Sequence, residues 1–88
     1  MAVLMYESLI DFFDDYDMND ALKTGKALII HRVMKHPYQM YIASMGAMGY
    51  VLVFGKQDKE GHYTGRAWIA DEQKKLMPLF NNLLDTFR

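Results

Sequence analysis

Histidines and serines are candidate bases, nucleophiles or metal ligands in this chain. The sequence contains three histidines and no cysteine. His31 and His36 stand five positions apart, a spacing that puts them on opposite sides of a strand and on poorly matched faces of a helix. Ser8 and Ser44 have no histidine placed locally to serve as a base. We therefore predict no enzymatic activity, no metal and no cofactor.

An acidic run near the N-terminus partly matches the ligand spacing of a calcium-binding loop. Asp15, Asp17 and Asn19 stand at the first, third and fifth positions of such a loop. However, Asp20 occupies the place of the turn-forming glycine, and Lys26 occupies that of the bidentate glutamate. The run therefore favours helix capping and helix termination by Asp and Asn over a metal site.

The stretch GAMG, residues 46–49, matches the GxxG pattern of loops that clamp a nucleic-acid backbone. Such a loop joins two helices, whereas this stretch lies between two strand-like runs. It also lacks the full glycine spacing and the following helix of a phosphate-binding loop. We predict a turn whose glycines permit positive φ.

Hydrophobic periodicity predicts the elements that must position any functional side chain. Helices are predicted over residues 3–16, 17–25 (short) and 72–87. Strands are predicted over residues 39–45, 50–56 and 63–70, and residues 26–34 form either a further strand, which we favour, or an extension of the second helix. The predicted fold is α+β, with helices layered on one face of a three- to four-stranded antiparallel sheet.

Composition limits the classes of protein to which the chain could belong. Its 88 residues have the size of one domain, so we expect residues 1–88 to form a single compact unit. The chain is 51% hydrophobic, yet no apolar run is long enough to span a bilayer, and the N-terminus lacks the basic region of a signal peptide. We therefore expect a cytoplasmic protein that does not enter membranes.

Charge is unevenly distributed along the chain. The net charge is −1, so there is no overall basic field of the kind that strong nucleic-acid binders carry. Residues 1–20 hold six acidic residues and no Lys or Arg, whereas residues 21–36 hold four basic residues and no acid. This layout fits either contact between subunits or a set of solvated faces.

The last predicted hairpin supplies the strongest positional signal. If its loop is Asp58–Gly61, strand alternation places Trp68 opposite Val51 and Arg66 opposite Val53, on the side away from the helices. Trp and Arg are enriched at interface hot spots. The predicted binding residues are Val51, Val53, Lys56, His62, Arg66 and Trp68. Two alternatives remain: one helix could cover each face, or a loop longer by one residue would reverse every assignment.

These features favour a small non-enzymatic protein-binding module, of adaptor or inhibitor type, over the other classes considered. We expect its partner to be another protein, and we expect the chain to form a homo-oligomer, such as a homodimer, through the open sheet face. The alternative is a nucleic-acid-binding domain with the element order α-β-β-β-α. Affinity that falls steeply with salt would favour that alternative.

Overall fold

The computed structural model describes residues 3–88 and contains an antiparallel sheet with helices before and after its main strands. The strands are β1 (Leu4–Tyr6), β2 (Leu28–Lys35), β3 (Tyr38–Ser44), β4 (Tyr50–Gln57) and β5 (Tyr63–Ala70). The α-helices are α1 (Leu9–Asp15), α2 (Met18–Thr24) and α3 (Met77–Leu83), with short 3-10 helices at Gly46–Met48, Gln73–Lys75 and Leu84–Phe87. The predicted α+β class is confirmed.

The first described element is a strand, although helical spacing predicted a helix from residue 3. β1 pairs antiparallel with β5, with Leu4 opposite Ile69 and Tyr6 opposite Ala67. This pairing satisfies backbone groups of β5 that would otherwise lie at a free edge. Ser8 has extended backbone angles (φ −127°, ψ 126°), so α1 begins only at Leu9.

The predicted ends of the first two helices agree with the structure. α1 ends at Asp15, where a cluster of acidic residues opposes the helix dipole. Asp17 is the N-cap of α2, and its side chain accepts a hydrogen bond from the Asp20 backbone N–H at 3.0 Å. Gly25 ends α2 in the left-handed conformation, with φ 81°.

The sheet has five strands in the order β1-β5-β4-β3-β2, all antiparallel where they pair. The strand number exceeds the predicted three to four because β1 joins the edge of β5. Residues 28–35 form the strand β2. The strand interpretation of the ambiguous segment is therefore confirmed. β2 lies at one edge of the sheet, with β3 on its inner side.

The β4–β5 hairpin has a longer loop than the sequence analysis assumed. Gln57 pairs with Tyr63, so the loop comprises residues 58–62. The Asp58 carboxylate accepts hydrogen bonds from the backbone N–H groups of Glu60 and His62, each at 2.9 Å, which holds His62 in the turn. Consequently Trp68 lies opposite Leu52 rather than Val51, and the predicted faces of β4 are reversed relative to β5.

Helices cover both faces of the sheet, which corrects the predicted one-sided layering. α1 and α2 cover what we call the α1 face, whose buried core comprises Leu9, Phe12, Met18, Ala27, Tyr41, Ala43, Met45, Val51, Val53 and Ala67. α3 covers the opposite α3 face, whose buried core comprises Met40, Ile42, Leu52, Ala70, Leu76 and Phe80. β4 is apolar on both sides because each side meets helices.

The C-terminal helix begins later than predicted. α3 starts at Met77 and carries Pro78 in its first turn, where a missing N–H breaks no intrahelical hydrogen bond. The preceding Gln73–Lys75 segment is a 3-10 helix. Leu76 and Phe80 then anchor this part of the chain in the core of the α3 face.

Candidate functional site

The structure separates the predicted binding residues instead of bringing them onto one open surface. Val51 and Val53 are buried beneath the N-terminal helices on the α1 face. Trp68 lies on the other side, half-buried, where it packs against the core that contains Leu76 and Phe80. The expectation of an exposed face centred on Trp68 and the two valines is therefore wrong.

The three remaining predicted residues are polar and exposed. Arg66 and Lys56 share the α3 side of their strands, and the Lys56 ammonium lies 5.7 Å from the ring centre of Tyr38. His62 belongs to the β4–β5 turn, with its Nδ1 atom 3.8 Å from the Asp58 carboxylate. Hydrogen bonding from the His62 backbone N–H also lowers the pKa of Asp58. These contacts stabilise a turn and do not form a binding surface with Val51 and Val53.

The other motifs have structural roles in the described part of the chain. The Tyr6 hydroxyl donates a hydrogen bond to Asp15 at 2.7 Å, and Asp17 caps α2. No group of three or more His, Cys, Asp or Glu side chains among residues 3–88 could hold a metal ion. GAMG forms a turn, as predicted, and its residues Gly46–Met48 adopt a 3-10 helix. A Cβ on Gly49 would overlap the carbonyl oxygen of Ala70.

The outer side of β2 is the longest exposed apolar strand edge in the described residues. We call the outer side of Leu28–Lys35 the β2 edge. Its exposed aliphatic side chains are Leu28 (63% exposed), Ile29, Ile30 and Met34 (59% exposed). An edge strand also presents backbone N–H and C=O groups that no neighbouring strand satisfies. The β2 edge therefore combines apolar side chains with hydrogen-bonding capacity.

β1 forms the opposite edge of the sheet and is a weaker candidate. It contains three residues, compared with eight in β2, and thus offers far fewer backbone groups. Leu4 and Met5 are exposed there. Very short edge strands are one means by which proteins limit unwanted strand pairing.

The β2 edge carries uncompensated positive charge. Arg32 and Lys35 are exposed on β2, and neither forms an ion pair with any residue of the described chain. The ion pairs of residues 3–88 lie within 58–62, 71–75 and 85–88. No acidic residue occurs between residues 21 and 36. The edge is thus apolar and basic, and it lacks an internal counter-charge.

A groove of about 320 Å³ adjoins β2 on the α1 face, between that strand and the N-terminal helices. We call it the α1–β2 groove; it is lined by Leu9, Phe13, Asn19, Leu22, Ile29, Arg32, Gln39, Tyr41, Val53 and Tyr63. Arg32 is the one charged residue of this lining. Burial raises the pKa of the Tyr41 hydroxyl to about 12, and the Arg32 charge partly opposes that rise. The groove therefore pairs apolar walls with a cation at its rim.

Sequence reasoning predicted β2 as a strand but did not identify it as a candidate site. The run Leu28–Met34 has apolar residues on both faces of the strand, a pattern that is also typical of central strands. Its exposure results from the strand order, which puts no strand beyond it. The three basic residues His31, Arg32 and Lys35 were the available signal, because charge within an apolar strand is typical of an edge.

Comparison with known proteins identifies no relative for this chain: no family model, no curated protein and no solved structure matches it. Within residues 3–88, none of the helices has the length and apolar character that crossing a bilayer requires.

Proposed function

We propose that the protein is a small non-enzymatic protein-binding module that receives an extended segment of another protein along the β2 edge. One observation carries this proposal: an eight-residue edge strand exposes four large aliphatic side chains, Leu28, Ile29, Ile30 and Met34. Strand addition is a recurrent mode of peptide recognition, in which main-chain hydrogen bonds supply affinity and alternate side chains supply specificity.

A bulge defines where regular pairing can occur on the β2 edge. The register between β2 and β3 shifts between Ile29 and His31. Bulges disturb the ladder locally and twist the strand. From His31 to Lys35 the pairing with β3 is regular, so we place the main-chain contacts of the partner along those residues. Leu28 and Ile29 then offer apolar contacts beyond the paired stretch.

Charge indicates an acidic partner segment rather than a second copy of β2. Symmetric pairing of two β2 strands adds no acidic residue to either strand, and antiparallel pairing centred on Arg32 would place the two Arg32 side chains directly opposite each other. Like charges at facing positions of a sheet are destabilising. An extended segment with acidic side chains would instead neutralise the unpaired Arg32 and Lys35. Self-association, which the sequence analysis predicted, is therefore an alternative outcome of the test.

The charge distribution also disfavours a nucleic-acid partner. The chain carries a net charge of −1, and its basic residues on β2 are interspersed with exposed aliphatic side chains. Nucleic-acid sites are strongly basic and gain affinity mainly from phosphate contacts. The observed order, β-α-α-β-β-β-β-α without its 3-10 segments, also differs from the α-β-β-β-α order of the alternative.

Selection from a displayed library of random short peptides tests the proposal. We expect the selected peptides to contain both apolar and acidic residues. Met34→Glu should weaken their binding by about five- to thirtyfold, because it removes a contact worth about 1–2 kcal/mol and adds a repelling charge. Met34→Lys should weaken binding less than Met34→Glu, since the added positive charge attracts an acidic peptide.

Met48 provides the matched control because its exposure of 57% is close to the 59% of Met34. Met48→Glu should leave peptide affinity unchanged. Backbone N-methylation of alternate peptide residues should abolish binding, because it removes donors needed for strand pairing. Failure to select any binder, or equal losses in the Met34 and Met48 variants, would overturn the proposal. Sedimentation of the free protein as a dimer that Met34→Glu dissociates would replace it with self-association.

A further inference from the structure

The α1–β2 groove shares residues with the β2 edge, so a segment bound at the edge would lie beside the groove. Ile29 and Arg32 belong to β2 and also line the groove. Neighbouring strands lie about 4.7–4.9 Å apart, and directly opposite residues point to the same face. Long side chains on one face of an added strand can therefore extend across β2 towards the groove.

The lining of the groove matches an aromatic side chain. Phe13 and Tyr63 are exposed large apolar residues at its walls, and Leu22 adds an aliphatic contact. A volume of about 320 Å³ lies at the lower end of the range for ligand pockets, which suits one or two side chains. Aromatic rings also pack favourably against other aromatic rings in edge-to-face or offset geometry.

The charge at the groove requires a counter-ion that this chain does not supply. Arg32 is the single charged lining residue, and no carboxylate in residues 3–88 pairs with it. A guanidinium binds a carboxylate through paired N–H donors. A ligand group that combines an aromatic ring with a nearby carboxylate would thus contact both the apolar lining residues and Arg32.

We propose that the α1–β2 groove is a specificity site that takes an aromatic side chain of the partner segment while Arg32 binds an adjacent carboxylate of that segment. This inference rests on the proposed function, because the β2 edge supplies the segment. It adds a sequence requirement: an acidic residue and an aromatic residue must occur on the same face of the bound strand, two positions apart.

Phenylpropionate is a probe of this site that does not depend on strand pairing. In two-dimensional NMR titrations, we expect it to shift the amide signals of Ile29, Tyr41 and Val53. Phenylpropanol, which has the same ring without the charge, should bind more weakly. Arg32→Gln should weaken phenylpropionate binding by about two- to fivefold, the range expected for an exposed ion pair.

Arg66→Gln is the matched control, because Arg66 is exposed on the opposite face of the sheet. That variant should bind phenylpropionate as the wild type does. The inference is overturned if the shifted signals lie outside the groove, if Arg32→Gln and Arg66→Gln behave alike, or if the uncharged analogue binds equally well.

The two proposals fail in distinguishable ways. If Met34→Glu weakens binding of the selected peptides and phenylpropionate does not occupy the groove, the proposed function is supported and the groove inference is wrong. If phenylpropionate occupies the groove through Arg32 and no peptide binds β2, the proposed function fails and the segment-specific inference fails with it. Enrichment of acidic-aromatic pairs in the selected peptides, lost with Arg32→Gln used as bait, supports both.

Discussion

Replacing Phe12 by alanine should remove a large part of the free energy of unfolding. The Phe12 side chain is 0% exposed. Its ring centre lies 5.5 Å from that of Tyr6, 5.4 Å from that of Phe13 and 5.3 Å from that of Tyr16. Truncation would leave a cavity between α1 and the sheet and would break these aromatic contacts.

The expected loss for Phe12→Ala is about 3–5 kcal/mol. A chain of 88 residues has a total free energy of unfolding of about 4–13 kcal/mol. The variant is therefore close to unfolding at ambient temperature in the lower part of that range. Phe13→Ala is the matched control: Phe13 is 41% exposed, so we expect it to lose only about 1–2 kcal/mol.

Urea unfolding followed by circular dichroism measures both losses. With a denaturant slope of about 1–2 kcal/mol per molar, Phe12→Ala should lower the midpoint by about 2–4 M relative to the wild type. Phe12→Leu, which keeps most of the volume, should fall between Phe12→Ala and the wild type. Equal losses for Phe12→Ala and Phe13→Ala would refute the packing of α1 on the sheet as described.

Three further predictions concern backbone sterics and titration. A Cβ on Gly65 would overlap a carbonyl oxygen of the facing strand, so Gly65→Ala should lose about 2 kcal/mol or more in chemical denaturation. Gly25 also has a positive φ (81°) but open space around it, so Gly25→Ala should lose less, and equal losses in the two variants would contradict the steric cause. Burial raises the pKa of Tyr41 from 10.0 to about 12, and its hydroxyl therefore ionises first in the unfolded chain. Between pH 10.0 and about pH 12, the wild type should lose about 2–3 kcal/mol more of its free energy of unfolding than Tyr41→Phe does. Equal losses in the two proteins would refute this role of the Tyr41 hydroxyl. The pKa of Asp58 is lowered by hydrogen bonds from the turn backbone, so its contribution is present at neutral pH and lost as pH falls through the lowered pKa. Melting temperatures should fall more steeply on acidification in the wild type than in Asp58→Asn, and parallel curves would count against this role.

Local signals in the sequence were enough to predict most element boundaries after residue 16. Asp17 and Gly25 carry the side-chain cap and the left-handed stop that bracket α2. The predicted strand over residues 63–70 coincides with β5. The three-residue β1 was missed, because its pairing depends on a distant partner, β5, and helical periodicity continues across it.

The exposed face of the sheet was predicted incorrectly because register and layering depend on contacts between distant segments. The loop length was misjudged by one residue, since the hydrogen bonds of the Asp58 carboxylate extend the turn to His62. That difference places Trp68 opposite Leu52. The two apolar sides of β4 indicated that both faces are covered, but periodicity alone does not assign a helix to each face.

Hydrogen exchange of the β2 amides, with and without a selected peptide, tests whether a bound segment pairs with the β2 edge. We expect amides between His31 and Lys35 that exchange rapidly in the free protein to become protected when the peptide binds. Protection at those positions should disappear with the N-methylated peptide. Bound peptide that protects β1 or α1 instead, or that leaves the β2 amides exchanging at their free rates, would contradict a role for the β2 edge in binding.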